Sequence, residues 1–199
     1  MRIIENVSQA PSLSLRQRYA DVFTVLVFVI LILLGLNFRS RVLNATVFYE
    51  SPQAGISASY PQNWLLDTQG DYVFRVRDMS RTGYKTTFQV AVRPVGEDAE
   101  ERNVADRLSL ERLPVLTDYT ILSDESFDLP GVENTRALSY SYTSSNASPF
   151  LQAVPSVVRG LDILVIQAEQ AIIITYRADV SIYHEEYPRF ENFLRRLQF

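Results

Sequence analysis

The stretch GISASYPQNWLLD, Gly55 to Asp67, is where the chain turns from a helical to a two-residue rhythm. Ile56, Ala58 and Tyr60 alternate with Ser57 and Ser59, which reads as a strand with one buried face. Pro61-Gln62-Asn63 reads as a turn, since proline presets φ and asparagine tolerates tight backbone. Trp64 to Asp67 resumes as a second short strand.

The same rhythm continues downstream. Tyr72, Phe74 and Val76 alternate within Asp71 to Asp78, and Arg81-Thr82-Gly83 marks a hairpin turn. Lys85 to Val95 alternates Phe88, Val90 and Val92 against Thr87, Gln89 and Ala91. A helix follows Gly96-Glu97-Asp98, with Val104, Leu108 and Leu113 predicted on one face and Pro114 ending it. Thr120 to Leu129 and Glu133 to Thr143 read as strands joined by the Pro130-Gly131 turn. Val154 to Gln167 is a further strand, with a bulge or turn predicted at Arg159-Gly160. Ala171 to Ala178 is the most hydrophobic strand and is predicted to be central. Tyr183, Tyr187, Phe190, Leu194 and Leu197 then share one face of a closing helix. Pro188 is expected in its first turn and Arg195 and Arg196 in its last. Strands, a helix, strands and a helix argue an α+β domain with a mostly antiparallel sheet sandwiched by helices.

Upstream lies a run of another kind. Val22 to Phe38 carries no charge, and only Thr24, Gly35 and Asn37 interrupt its aliphatic and aromatic side chains. Its seventeen residues rise about 25 Å as a helix, short of the roughly 30 Å bilayer core but workable if flanking arginines snorkel. A helix apolar all round is either buried or spans a membrane. A cleavable signal peptide is the competing reading, but Arg39 and Arg41 stand where its cleavage site would fall. The expectation is a tail over 1–20, a single transmembrane helix over 21–38 marked by Val22, Phe28, Leu34 and Phe38, a juxtamembrane linker over 39–53 and an extramembrane domain over 54–199. Arg2, Arg16 and Arg18 precede the span and two arginines follow it, so charge decides orientation weakly. A short tail and a large C-terminal domain favour a cytoplasmic N-terminus and a domain facing the periplasm, a lumen or the exterior.

Composition narrows the function. The net charge of −4 provides no global basic field for nucleic acid. With no cysteine in 199 residues, disulfides, thiolate metal sites and a cysteine nucleophile are excluded. The seven glycines are scattered singly, so there is no phosphate-binding loop, and no serine sits in a Gly-x-Ser-x-Gly frame. The lone His184, with Glu185 and Glu186, reads as a helix start where acids suit the dipole rather than as a metal site. Asp98, Glu100 and Glu101 read in the same way. Asn44-Ala45-Thr46 and Asn146-Ala147-Ser148 are glycosylation tripeptides, relevant only in a eukaryotic secretory lumen.

The strand running into Tyr60-Pro61-x-x-Trp64 resembles the opening of the PsbP-like domain family, and the element order from Gly55 to Phe199 is similar to the family's. Leu197-Gln198-Phe199 is similar to the family's aromatic close after the last helix. The resemblance implies an α/β/α sandwich in which Tyr60, Pro61 and Trp64 are structural. Members include an extrinsic subunit of the oxygen-evolving photosystem and a nuclear-import factor. They are mostly non-catalytic proteins that dock on larger assemblies. This chain departs from them by its N-terminal anchor.

Two function classes follow. One is a non-catalytic accessory subunit of a larger membrane complex, photosynthetic or respiratory, with the bilayer and other subunits as partners and no cofactor. The other is a free-standing envelope assembly factor or ligand-binding domain with a pocket between sheet and helices. An enzyme is the least expected, because no catalytic constellation stands out.

Overall fold

The elements follow from the rhythms in the sequence. A computed structural model describes residues 15–43, 45–97, 99–145, 155–167 and 169–199. The tail before residue 15, Asn44, Asp98 and the second glycosylation tripeptide therefore lie outside the described residues. Contacts divide the chain into two units that meet between Ala45 and Thr46.

The first unit holds helix α1, Leu15–Leu43. Its 29 residues rise about 43 Å. It overruns the apolar run at both ends, taking in the last part of the stretch read as tail and the first part of the stretch read as linker. Neither flank contains a proline or glycine to stop it. None of Asp21–Arg39 is buried, and this is the one described helix long and apolar enough to cross a bilayer.

The second unit opens with β1, Thr46–Ser51, which pairs antiparallel with β2, Ile56–Pro61. Thr46–Ser51, within the stretch read as a linker, is thus a strand. Its rhythm was hidden because most of its side chains are exposed, while Ile56, Ala58 and Tyr60 on β2 are buried. Backbone bonds of 2.9 Å in both directions between Ser57 and Gln198 tie β2 to the C-terminal residues.

A seven-stranded antiparallel sheet follows. It comprises β3 (Leu65–Asp67), β4 (Phe74–Arg77), β5 (Thr87–Pro94), β6 (Thr117–Leu129), β7 (Val132–Ser144), β8 (Ser156–Gln167) and β9 (Gln170–Asp179), in the order β3-β4-β5-β9-β8-β7-β6. The hydrophobic strand after Gln170 is central, as predicted. Helix α2 (Glu101–Arg112) packs on β7 and β8, and α3 (Tyr183–Leu194) packs on β9 and β2.

Side chains alternate between the two faces, so each face has its own core. On the α3 face, the Phe88 ring lies 4.5 Å from Trp64, 5.4 Å from Phe190 and 5.2 Å from Phe193. On the α2 face, Ala105 and Leu108 meet Leu138, Tyr140, Leu164 and Ile173.

Four details differ from the sequence reading. No bulge occurs at Arg159-Gly160, because β8 pairs with β7 and β9 without interruption. Gly160 faces Tyr140 across the ladder, and a Cβ there would stand 2.2 Å from the phenol ring. The glycine makes room for a ring. Gly160→Ala is accordingly expected to cost about 1–3 kcal/mol by overpacking, measured by urea unfolding of the full chain. Next, Leu113 is exposed and Arg112 takes the inward position that continues Leu108, because a buried carboxylate lies beneath it. Third, Pro188 lies inside α3 rather than in its first turn. The helix starts early because Tyr183 is pinned: its ring lies 4.8 Å from Tyr176, whose hydroxyl donates to the Tyr183 carbonyl at 2.7 Å. Last, Arg195 caps the helix and Arg196 lies beyond it.

Candidate functional site

Strand register places polar side chains in two rows on the α2 face. One row runs Arg75, Gln89, Thr175, Asp162 across β4, β5, β9 and β8. The next runs Arg77, Thr87, Arg177, Gly160 and Tyr140, reaching β7. Helix α2 covers the β7–β8 half, and the other half is only partly covered: Arg75, Arg77, Gln89 and Arg177 all keep some exposure.

In the covered half, Asp162 is fully buried. It accepts hydrogen bonds from Thr175 Oγ1 at 2.7 Å and from Arg112 Nη1. The Arg112 guanidinium also lies 4.4 Å over the Tyr140 ring. Burial pushes the Arg112 pKa down, but the Asp162 carboxylate beside it more than reverses this, so the guanidinium is held charged. The Tyr140 phenol is driven well above its ordinary value, first by burial and then by Asp162, so it stays neutral. This is a closed ion pair inside the fold.

The partly open half is different. Asp67 at the sheet edge lies 2.6 Å from Arg75 Nη2 and 3.7 Å from Arg77 Nη2. The Gln69 amide donates to its other oxygen at 2.9 Å. The Tyr72 hydroxyl stands 2.9 Å from Asp67 Oδ2 and 2.6 Å from the Gln69 carbonyl, and Arg75 lies 4.7 Å over the Tyr72 ring. The Gln69 amide bond, then Arg75 and Tyr72, draw the Asp67 pKa from 3.8 to about 2. Further in, Arg177 Nη2 donates to Gln89 Oε1 at 2.9 Å, and the Tyr84 and Tyr142 hydroxyls are 2.9 Å apart. The Nε atoms of Arg75, Arg77 and Arg177 are buried with no partner among the described residues.

A pH effect follows. A depressed carboxylate pKa adds stability above its unfolded value, and that stability is lost as pH falls through the folded one. The advantage of the wild type over Asp67→Asn is therefore expected in full above about pH 4 and is expected to vanish as pH falls through about 2. Urea midpoints of the two proteins across this range check it.

The α3 face carries an apolar cleft of about 350 Å³, lined by Phe127, Leu129, Tyr187, Leu197, Phe199 and Arg195 among others. Near the start of α3, His184 is exposed, Glu185 pairs with Arg81 at 3.0 Å, and the buried Glu186 is held by Arg81 at 3.0 Å and Arg189 at 2.7 Å. Both carboxylates are engaged by arginines, so these residues are not gathered around a vacant centre.

Two of the three motif residues lie in the core, and Pro61 is half-buried. Tyr60 and Trp64 are buried, and the Trp64 amide donates to the Pro61 carbonyl at 3.1 Å, closing the turn. Val22, Phe28, Leu34 and Phe38 are between 61% and 72% exposed along α1. The sequence reading missed the polar rows of the sheet. Their signal is one carboxylate inside the apolar run of β8 and one arginine inside that of β9: Asp162 and Arg177 are charges where a central strand tolerates none without partners.

The second unit has close architectural counterparts. Cyanobacterial PsbP (CyanoP) from Synechocystis superposes with a TM-score of 0.54 at 12% identity, over 77% of this chain and 92% of that one. The domain has the PsbP-like fold. The Ran-binding protein Mog1p of Saccharomyces cerevisiae shares it with a TM-score of 0.52 at 10% identity, over 77% of this chain and 95% of its own. LpqN of Mycobacterium tuberculosis, involved in cell envelope biogenesis, matches the PsbP-like domain with a TM-score of 0.51 at 12% identity, over 77% of this chain and 88% of its own. No family model and no curated protein sequence matches the chain.

Proposed function

We propose that this protein is a single-pass, membrane-anchored, non-catalytic accessory subunit, whose PsbP-like domain docks on and stabilises a larger membrane complex. The observation that carries the reading is α1, an apolar helix with none of Asp21–Arg39 buried. Such a surface needs hydrocarbon around it. In this reading the N-terminus is cytoplasmic and the domain faces the periplasm, a lumen or the exterior. Tethering confines the domain to the bilayer surface, so a weak contact with a neighbouring subunit suffices for steady association. PsbP, Mog1p and LpqN, as their names describe them, fit an accessory or assembly role better than a catalytic one. An energy-converting complex, photosynthetic or respiratory, is the partner type we favour.

The experiment is mild-detergent solubilisation of native membranes, native separation and mass spectrometry of the band carrying this chain. Co-migration with one large assembly at constant ratio is expected. Migration near the monomer mass while other complexes stay intact would overturn the reading. It would favour a free-standing envelope factor, a second reading supported by the apolar cleft of about 350 Å³ beside α3.

A further inference from the structure

We propose that the partly open half of the sheet, carrying Arg75, Arg77 and Arg177, is a docking face for an acidic segment of a protein partner. The inference deepens the accessory-subunit reading and rests on it.

Charge is the first argument. Arg75, Arg77 and Arg177 stand together in the partly open half, and among the described residues Asp67 is the one carboxylate in a salt bridge with any of them. Asp162 is consumed by Arg112 and Thr175 inside the fold. Asp67 alone serves both Arg75 and Arg77, and the hydrogen-bond partners of Arg177 are neutral, the Gln89 amide at 2.9 Å and the Tyr142 hydroxyl, with Asp162 the nearby charge. Three guanidinium groups thus share one salt-bridged carboxylate, on a chain whose net charge is −4. A local surplus opposite in sign to the whole molecule is an address for an acidic partner.

Chemistry is the second argument. A guanidinium fork matches a carboxylate in its plane, and Asp67 already sits against Arg75 and Arg77 in this way, an internal stand-in for what the face accepts. Tyr72, Tyr84 and Tyr142 surround the arginines, each only partly or barely exposed and held by a ring contact or a hydroxyl bond. Arginine and tyrosine are the side chains that carry protein–protein binding, because they give wide contact at little entropic cost. Strands β4 and β9 hold the three arginines at fixed spacing, so the face is ordered before the partner arrives.

The test uses the full chain in detergent and a fluorescent decaglutamate peptide as probe. Saturable binding at low ionic strength is expected, weakening as salt rises. Arg75→Gln/Arg77→Gln is expected to weaken it by about tenfold or more, and Asp67→Asn, which frees both guanidinium groups, to tighten it. Circular dichroism of both variants confirms that the fold persists. Decaglutamate binding that fails to saturate, or that ignores both variants, would overturn the proposal. So would arginine-dependent capture by inorganic phosphate or phosphatidylglycerol vesicles in preference to the peptide, which would make the face a phosphate reader. The two readings fail separately. Failure with decaglutamate while the wild type still co-migrates with a large assembly removes only the docking face. Migration alone in native membranes, with arginine-dependent peptide binding intact, removes only the subunit reading.

Discussion

Arg112→Ala is expected to lower the unfolding free energy of the domain by about 3–5 kcal/mol, because it strands the Asp162 carboxylate where no water reaches. For a domain of this size the melting temperature falls by about 10 °C. The loss comes mostly from the orphaned charge rather than from the pair's own attraction. That assignment has a consequence. Arg112→Met combined with Asp162→Leu and Thr175→Val removes the whole polar cluster, and is expected to recover more than half of the lost stability, since apolar groups of similar volume replace buried ion pairs at little cost. A triple variant no more stable than Arg112→Ala would show that the network supports the fold through geometry that apolar packing cannot supply. Thermal unfolding of the full chain, followed by circular dichroism, separates the two.

Trp64→Ala is the second large effect, at about 3–5 kcal/mol. The indole is buried against Phe88, at 4.5 Å between rings, and Phe88 in turn touches Phe190 and Phe193 on α3. Removing it leaves a cavity that these rigid rings cannot collapse to fill. Trp64→Phe keeps most of the contact and is expected to cost less than half as much. Pro61→Ala is expected to cost under about 1 kcal/mol, because its effect lies mainly in the freedom of the unfolded chain. The ordering of the three, read from urea midpoints, distinguishes a core plug from a turn former. If Pro61→Ala proved the most damaging, the stability of the Tyr60–Trp64 segment would rest on its turn instead.

What the sequence made legible followed from burial on one face. Ile56, Ala58 and Tyr60 alternate because β2 has one dry side, and the apolar run through β9 is continuous because that strand is dry on both. Where burial is slight, the rhythm fades: β1 exposes most of its side chains and so reads as a linker. Gly160 looked like a break because a glycine in an apolar strand has two explanations, a bulge or a neighbouring ring, and only the position of Tyr140 across the ladder decides between them. The polar rows were opaque for a related reason. Arg75, Gln89, Thr175 and Asp162 become neighbours only through the register of four strands, with the residues themselves spread over 100 positions of the chain. Arg112 was passed over because amphipathic reading favours the leucine beside it, and the attraction that turns it inward comes from a carboxylate 50 positions away.

The position of β9 also governs when this domain can fold. Among the described strands it alone joins β3-β4-β5 to β8-β7-β6, and it is the last of them to be synthesised. Until β9 is available, β5 and β8 lack the strand that pairs with both. Non-local pairing of this kind is slow, since the closure entropy must be met before the contacts form. Most of the domain's residues are therefore synthesised before a stable domain exists. Such lateness leaves the growing chain dependent on whatever shields its open strand edges until β9 arrives.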